Sequence, residues 1–151
     1  MTDVSFYHLQ RMPLERALPK LVEKVLASGA RTVVMLGSEE RVAELDSVLW
    51  TYDPNSFLPH GTARDGRPQD QPAWLTSEDE NPNGANVLIL ADGAISDHVA
   101  DFEKCLEIFD GNDTAAVSAA RARWQVYKDA DHKLAYWQQD DSGRWTQKDE
   151  R

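Results

Sequence analysis

Short, continuous apolar runs alternate along this chain with segments of helical periodicity. RTVVMLG at residues 31–37 and NVLILA at residues 86–91 are such runs, and KCLEIFD at residues 104–110 is predicted to be a further strand. Continuous apolar runs are typical of strands that are covered on both faces, as in a parallel sheet between helices. The chain is therefore predicted to fold as an α/β sandwich.

The opening of the chain predicts the order β-α-β-α. A β-prone segment at residues 4–9 leads into the helical pattern LERALPKLVEKVLASG, in which Pro13 suits the first turn and Gly29 marks the end. Pro19 lies inside this pattern and would remove one hydrogen bond, so a kink or a late helix start remains open. After the strand at residues 31–37, Ser38 is placed to cap a second helix, SEERVAELDSVLW.

A long connection follows the second helix. Residues 51–86 hold five of the seven prolines and three glycines, which predicts little regular structure, with SEDENPN at residues 77–83 as a mobile tip. A turn and short helix are predicted at residues 93–100. Near the end of the chain, LAYWQQ and RWTQ are separated by DDSG and predict a hairpin. Residues 1–151 are thus assigned to one domain, with 148–151 as a frayed tail.

The segment TAAVSAARARWQVYK reverses the sign of the overall charge. It contains three basic residues and no acid, in a chain of net charge -10. At helical spacing Val117, Arg121, Trp124 and Lys128 lie next to one another and would form an apolar hollow with a cationic rim. A guanidinium binds a carboxylate bidentately and an indole gives rigid apolar contact, so a peptide end with acidic and aromatic parts is indicated. Alternatively, Trp124 is a core residue and the cations form a solvated face.

A second aromatic group surrounds a proline-rich bend at residues 49–60. Within LWTYDPNSFLPH, the large side chains are those of Trp50, Tyr52, Phe57 and Leu58. Such side chains are either buried beneath the loop or presented to a partner, and the residues alone leave both alternatives open.

Composition limits the partners that can be expected. Acidic residues outnumber basic ones 26 to 16, so the field of the whole molecule repels phosphates, and direct, tight DNA binding is not expected. An acidic peptide would have to be held by local cations at short range, with sensitivity to salt. The single cysteine, Cys105, excludes an internal disulfide, is expected to be buried in a strand and favours a reducing, cytoplasmic location. No signal-peptide pattern or membrane-spanning apolar run is present, so no membrane partner is expected.

Catalytic and cofactor motifs are not found in the sequence. The turn after the first strand, HLQRMPLE, lacks the glycines of a dinucleotide-binding loop, and the P-loop pattern is absent. Ser96, Asp97 and His98 are consecutive and cannot take the positions of nucleophile, base and orienting acid, so a surface turn is expected there. The histidines are scattered without metal-ligand spacing. Neither a cofactor nor a metal is predicted.

Several segments, taken in order, resemble one protein family. VSFYHL, RTVVML, NVLIL and AARARWQVYKDADHKLAYWQ are similar to the chi subunit of bacterial DNA polymerase III. The most specific parts are the LW…SF-x-PH block and the A-R-x-R-[YW]-x-x-Y-[KR] helix. The resemblance covers nearly the whole chain and implies a three-layer, Rossmann-like α/β sandwich with a mostly parallel central sheet and no enzymatic activity of its own.

The resemblance also implies a binding site on the late helix. In that family this helix receives the acidic, aromatic-ended C-terminal tail of single-stranded DNA-binding protein. By resemblance, Arg121 would bind the terminal carboxylate, Trp124 would form the aromatic wall, and Gln125 would occupy a supporting position where lysine is common. The glutamine is a departure that predicts a weaker grip on the tail, unless Lys128 or Arg123 compensates.

A second interface follows from the same resemblance. Trp50 and Phe57 match the family's aromatic positions at the interface with the psi subunit, which tethers chi to the clamp loader. The predicted function is a non-catalytic adaptor that couples the replicase to single-stranded DNA-binding protein. The rival prediction is a nucleotide- or small-molecule-binding enzyme built on the same sandwich.

Overall fold

In the computed structural model, eight strands form one sheet, and three α-helices pack against it. The residues that the structure describes are 2–10, 12–53, 58–140, 142 and 144–148. The strands are β1 (Asp3–Leu9), β2 (Thr32–Met35), β3 (Gly61–Thr62), β4 (Ala73–Thr76), β5 (Val87–Leu90), β6 (Lys104–Asp110), β7 (Lys133–Gln139) and β8 (Trp145–Lys148). The helices are α1 (Leu14–Ala27), α2 (Glu39–Thr51) and α3 (Thr114–Asp129).

The sheet has the strand order β3-β4-β2-β5-β6-β1-β7-β8. Neighbouring strands are parallel from β3 through β7, and only the terminal hairpin β7–β8 is antiparallel. Helices α1 and α2 pack on one face of the sheet and α3 packs on the other. The mixed α/β fold, the mostly parallel sheet and the C-terminal hairpin are therefore as the sequence predicted.

Two hydrophobic clusters fill the spaces between the sheet and its helices. Leu18 and Leu45 belong to the cluster beneath α1 and α2, whereas Phe6 and Tyr127 belong to the cluster beneath α3. Every residue of β2 and of β5 is buried. Because both faces of these strands are covered by other elements, their sequences are continuously apolar rather than alternating. Cys105 lies in β6 and is fully buried, as predicted, and burial raises the pKa of its thiol.

The predicted boundaries of α1 and α2 agree with the structure, whereas the short helix predicted at residues 93–100 is only a 3-10 turn at Val99–Asp101. Helix α1 begins directly after Pro13 and runs through Pro19 without a late start, and Gly29 follows its end with a φ of +86°, a conformation that glycine adopts without steric cost. Ser38 caps α2, because its side-chain oxygen accepts a hydrogen bond from the backbone N–H of Arg41.

The connection at residues 51–86 contains more regular structure than predicted. Strand β4 lies inside it, pairs with β2 in parallel and carries the buried side chains of Trp74 and Leu75. The run AWLT is only four residues long, and its burial results from its place between β3 and β2 in the sheet. The prediction of little regular structure was wrong here, because a short apolar run without periodicity does not reveal its tertiary neighbours.

Residues 77–83, predicted to be a mobile tip, are hydrogen-bonded into the fold. The Glu80 carboxylate accepts hydrogen bonds from Trp74 Nε1 at 3.2 Å and Thr76 Oγ1 at 2.6 Å. Asn83 is buried, and its amide nitrogen donates to the carbonyl oxygens of Thr32 and Gln71. These side chains join the segment to β2 and β4, which contradicts the prediction of a mobile tip.

The end of the chain forms the predicted hairpin. Tyr136 in β7 pairs with Lys148 at the end of β8. Lys148, placed in the predicted frayed tail, thus belongs to the sheet, and residues 149–151 lie outside the described residues. Among the helices that the structure describes, none combines the length and apolarity needed to cross a membrane.

Candidate functional site

Helix α3 turns one face to the sheet and leaves its basic flank in solvent. Asp113 caps the helix, its carboxylate accepting from the backbone N–H groups of residues 115 and 116. Ala120, Trp124 and Tyr127, spaced by four and three residues, are its buried side chains. Arg121 and Lys128 each follow a buried residue directly, and both are exposed. They therefore lie along the same edge of the helix.

Trp124 takes the core position that the sequence left open as the alternative. Only 9 % of the residue is exposed. Its indole meets the ring of Phe6 at a centroid distance of 5.2 Å and that of Tyr136 at 5.9 Å, both in edge-to-face geometry. Trp124 Nε1 is buried and has no hydrogen-bond partner within the described part of the chain. The side chain packs α3 onto β1 and β7, and only a small part of it is accessible to a ligand.

Arg121 is exposed and forms no hydrogen bond or ion pair with any residue that the structure describes. Its charge acts on a pair of residues that sequence reasoning missed, His8 and Tyr136, whose Nδ1 and hydroxyl oxygen are 2.5 Å apart. Burial lowers the pKa of His8, with Asp110 opposing the shift and Arg121 adding to it. Burial raises the pKa of Tyr136, and Arg121 opposes that shift. The guanidinium thus lies close to a histidine–tyrosine pair at the sheet surface.

Val117, the remaining apolar member of the predicted hollow, lies one turn before Arg121. It is partly buried and packs against the cluster beneath α3. Val117, Arg121 and Tyr136 therefore form a surface that joins an apolar area to an exposed cation, and we call these three residues the α3 flank. The structure brings Val117, Arg121 and Lys128 to one side of α3, with Trp124 behind them.

The residue at the supporting position is bound to a neighbour on its own helix. Gln125 is exposed, and its amide nitrogen donates to Asp129 at 2.9 Å. Lys128 makes no ion pair with the residues described in the structure. Of the two cations expected to compensate for Gln125, Lys128 is thus the available one.

Arg123, the other compensating cation, is bound elsewhere. It lies about 200° round the helix from Arg121, and its Nε donates to Glu107 at 2.9 Å. The Tyr127 hydroxyl donates to the same carboxylate oxygen at 2.7 Å. Burial raises the pKa of Glu107, and Arg123 and Tyr127 partly offset this shift. Arg123 therefore fixes α3 to β6. It cannot compensate for Gln125, which lies on the opposite side of the helix.

The second aromatic group is divided between core and surface. Trp50 is 48 % exposed at the end of α2, and its ring lies 4.4 Å from that of His60. His60 is buried, with Nε2 3.0 Å from Asp46 Oδ1. Leu58 is buried, whereas Phe57 lies outside the described residues. Burial, the first alternative, thus holds for Leu58, whereas Trp50 is on the surface, and its presentation to a partner stays a prediction.

The side chains of Ser96 and His98 both bind Asp79, and the backbone N–H of His98 also donates to Ser96 Oγ at 3.0 Å. Ser96 Oγ donates to Asp79 Oδ1 at 2.6 Å, and His98 Nδ1 lies 2.9 Å from Oδ2. The backbone N–H of Asp97 donates to the same Oδ2. This arrangement is a surface turn fixed to the segment at residues 77–83, as expected. Within the described ranges, no group of three or more histidine, cysteine or acidic side chains is placed to hold a metal ion.

A crevice of about 740 Å³ lies at the carboxyl ends of β1 and β6, where α/β enzymes bind nucleotides. Four acidic residues are among its lining residues: Glu15, Asp92, Asp110 and Asp113. Arg41 and Arg123, the arginines that line it within the described ranges, are each paired with a carboxylate of the protein. The negative charges of these acids repel the phosphate groups of a nucleotide. The crevice therefore does not favour the rival prediction of a nucleotide-binding enzyme.

Fold and site together define a class: a mostly parallel α/β protein with an exposed arginine on the solvent side of its last helix. Comparison with known families narrows this class. The family model described as DNA polymerase III chi subunit, HolC, matches residues 1–135. The chain belongs to this family, which confirms the resemblance seen in the sequence.

Individual relatives agree with the family model. The probable DNA polymerase III subunit chi of Rickettsia prowazekii (strain Madrid E) is 34% identical over 90 residues, which are 60% of this chain and 54% of that protein. The DNA polymerase III subunit chi of Haemophilus influenzae is 26% identical over 117 residues, 76% of this chain and 79% of the relative. The DNA polymerase III subunit chi of Escherichia coli (strain K12) is 26% identical over 144 residues, 89% of this chain and 96% of that subunit. The chain thus spans about half of the Rickettsia relative and most of the other two.

Proposed function

We propose that this protein is a non-catalytic accessory subunit of the DNA polymerase III clamp-loader complex. It works in the cytoplasm and links the replicase to single-stranded DNA-binding protein by holding that protein's acidic C-terminal tail. The observation that carries this proposal is the exposed Arg121, which has no carboxylate partner within the described residues. Arg41, Arg67 and Arg123, in contrast, each pair with an acid of the protein.

The α3 flank supplies the parts that such a tail requires. The Arg121 guanidinium takes the terminal carboxylate bidentately, a geometry that lysine cannot offer. Val117 and the ring of Tyr136 give apolar contact to the tail's aromatic side chain. Trp124 supports this surface from behind, because its indole packs edge-to-face on Tyr136. Lys128 lies further along the same edge of the helix and attracts the acidic residues that precede the tail's end.

Electrostatics limits the strength of this contact. The chain carries a net charge of -10, so an acidic tail is repelled until it comes within about a Debye length, 8–10 Å, of the α3 flank. Gln125 offers no charge, and Asp129 beside it adds a negative one. Binding is therefore weaker than with a lysine at position 125 and decreases as salt screens Arg121 and Lys128.

The psi subunit is the partner that we propose for Trp50. An exposed indole at the end of α2 suits a protein interface, where tryptophan is enriched. The contact with the buried His60 ring holds the indole in place and so lowers the entropy lost on binding. Phe57 belongs to the same proposed interface by its position in the sequence.

Tail binding is tested by calorimetry with a synthetic peptide that carries an acidic stretch and ends in Pro-Phe. The parent protein is expected to bind it with a micromolar dissociation constant. Arg121→Ala is expected to weaken binding at least about tenfold, because a desolvated charge pair loses one partner. Arg64→Ala removes an exposed arginine that lies outside the α3 flank and is expected to leave the affinity unchanged. Equal affinities for the parent and Arg121→Ala would refute the assignment.

A further inference from the structure

A second groove lies on the opposite side of the sheet from α3. Its volume is about 400 Å³, and it runs between α1 and strands β6, β1 and β7. Parallel pairing places residues of these three strands in rows that share one face of the sheet. The rows, in the order β6, β1, β7, are Lys104, Asp3, Lys133, then Leu106, Ser5, Ala135, then Ile108, Tyr7, Trp137.

The shape of the groove follows from these rows. Ser5 and Ala135 have small side chains, so the floor is low between the lysine row and the aromatic row. Lys24 and Val25 of α1 line the groove from above the sheet. The result is a trough with cations at one end and large rings at the other.

The aromatic end is a set of three rings. Tyr7 and Trp137 are nearly parallel, with 10° between their planes and 6.4 Å between centroids. Trp145 meets Tyr7 edge-on at 5.0 Å. Trp137 and Trp145 lie beyond residue 135, where the family match ends. Of the three rings, only Tyr7 therefore lies within the part of the chain that the family model matches.

The charged end is positive in a strongly acidic protein. Among the residues that the structure describes, three lysines and one acid line the groove, Lys24, Lys104, Lys133 and Asp3, which gives these residues a balance of three minus one, or two positive charges. The ammonium groups form no ion pair with residues in the described ranges. They are therefore available to a negatively charged ligand.

We propose that this groove binds single-stranded DNA. A base would lie against Trp137, and the neighbouring phosphates would lie near Lys104 and Lys133. Aromatic rings beside cations are the combination by which proteins hold single strands without sequence preference. In duplex DNA the bases are stacked internally and cannot reach such a ring, so a single strand fits and a duplex does not. The net charge of -10 keeps this contact weak and confined to low salt, consistent with the expectation of no tight DNA binding.

The test uses fluorescence anisotropy of a labelled oligo(dT) with the 151-residue chain at low salt. The parent is expected to bind weakly, with an affinity that falls as salt rises. The double variant Lys104→Gln, Lys133→Gln is expected to make the negative slope of log K against log salt less steep by about 1.4, since each phosphate contact contributes about 0.7 for a single strand. Trp137→Leu is expected to weaken binding at least about fivefold without changing the slope, because it removes stacking rather than charge.

Two controls accompany these variants. Lys148→Gln removes a cation from β8, where Lys148 pairs with Tyr136 rather than with a residue of the groove face, and is expected to leave binding unchanged. Trp137→Phe keeps a ring at this position and is expected to retain most of the affinity, which separates stacking from a folding defect. Affinity for the tail peptide is expected to stay unchanged in the lysine variant of the groove and in both Trp137 variants, since α3 lies on the other side of the sheet.

Three results would overturn the proposal. The first is an absence of binding by the parent at low salt. The second is equal weakening by Lys148→Gln and by the lysine variants of the groove, which would indicate non-specific attraction. The third is competition by thymidine monophosphate as effective, per molecule, as that by unlabelled oligo(dT), which would assign the groove to a mononucleotide.

Discussion

Arg123→Leu is expected to destabilise the protein by about 3–5 kcal/mol at neutral pH. The Glu107 carboxylate, which belongs to a residue only 1 % exposed, would keep the Tyr127 hydroxyl but lose its cation. A buried charge without an opposite charge is far more costly than an intact pair or an apolar replacement of both partners. Equilibrium unfolding in urea, followed by circular dichroism, measures the loss in the free energy of unfolding.

Matched variants make this prediction specific. Arg121→Leu removes the same charge two residues earlier, on the exposed flank, and is expected to change stability by at most about 0.5 kcal/mol. Glu107→Leu combined with Arg123→Leu removes both charges and is expected to recover most of the loss. Equal effects of Arg121→Leu and Arg123→Leu would contradict the anchoring role of Arg123.

The same variant has an expected pH dependence. Burial already raises the pKa of Glu107, and Arg123 opposes that shift, so removing Arg123 raises the pKa further. A carboxyl group whose pKa is higher in the folded than in the unfolded state destabilises the fold increasingly as pH rises from the unfolded pKa to the folded pKa, and it has no such effect below the unfolded pKa. The loss caused by Arg123→Leu is therefore expected to shrink as pH falls towards about 5. A loss that is constant with pH would show that charge burial is not its cause.

Trp124→Ala is expected to destabilise the protein by about 3–5 kcal/mol, the range for removing a large buried ring. The indole packs on Phe6 and Tyr136, and its removal leaves a cavity between α3 and the sheet. Val126→Ala, on the same helix at a residue 63% exposed, is expected to change stability by at most about 0.5 kcal/mol. Urea unfolding of both variants gives the comparison.

The outcome separates two roles for Trp124. A core residue loses stability when truncated, whereas a residue that serves mainly to contact the tail loses affinity with the stability preserved. Trp124→Phe keeps a ring in the core and is expected to retain most of the stability and of the tail affinity. Preserved stability in Trp124→Ala, together with lost tail affinity, would contradict the core position as its main role.

Most of the sheet and all three helices could be predicted from the sequence. Strands β2 and β5 are covered on both faces, so their apolar runs are continuous, and Ser38 and Gly29 mark helix ends by their chemistry. Strand β4 could not be predicted in the same way. Its four residues gain their burial from β2 and β3, and nothing within the run itself indicates those neighbours.

The α3 flank was predicted in part. Helical spacing indicated that Arg121 and Lys128 share one edge of the helix. Spacing alone does not show where the buried face of the helix ends. Trp124 lies inside that boundary because Phe6 and Tyr136, distant in sequence, pack on its ring. His8 and Tyr136 were missed for a related reason: their closeness to Arg121 depends on the adjacency of β1 and β7, which requires the strand order.

Two arginines of helix α3, Arg121 and Arg123, have different roles. Arg123 binds the buried Glu107 and holds the helix on the sheet, whereas Arg121 remains without a partner among the described residues. An anchored helix presents the free guanidinium in a fixed place, so less entropy is lost when a carboxylate binds. Stability and recognition are thus assigned to arginines only two positions apart.

The contact between Arg121 and the tail's terminal carboxylate is tested most directly by a double-mutant cycle. Calorimetry would compare the parent and Arg121→Gln, each with a tail peptide that ends in a free acid and with one that ends in an amide. Amidation is expected to weaken binding to the parent at least about tenfold and to have little further effect on Arg121→Gln, because both changes remove the same ion pair. Equal weakening of the parent and the variant by amidation would show that Arg121 does not bind the carboxylate.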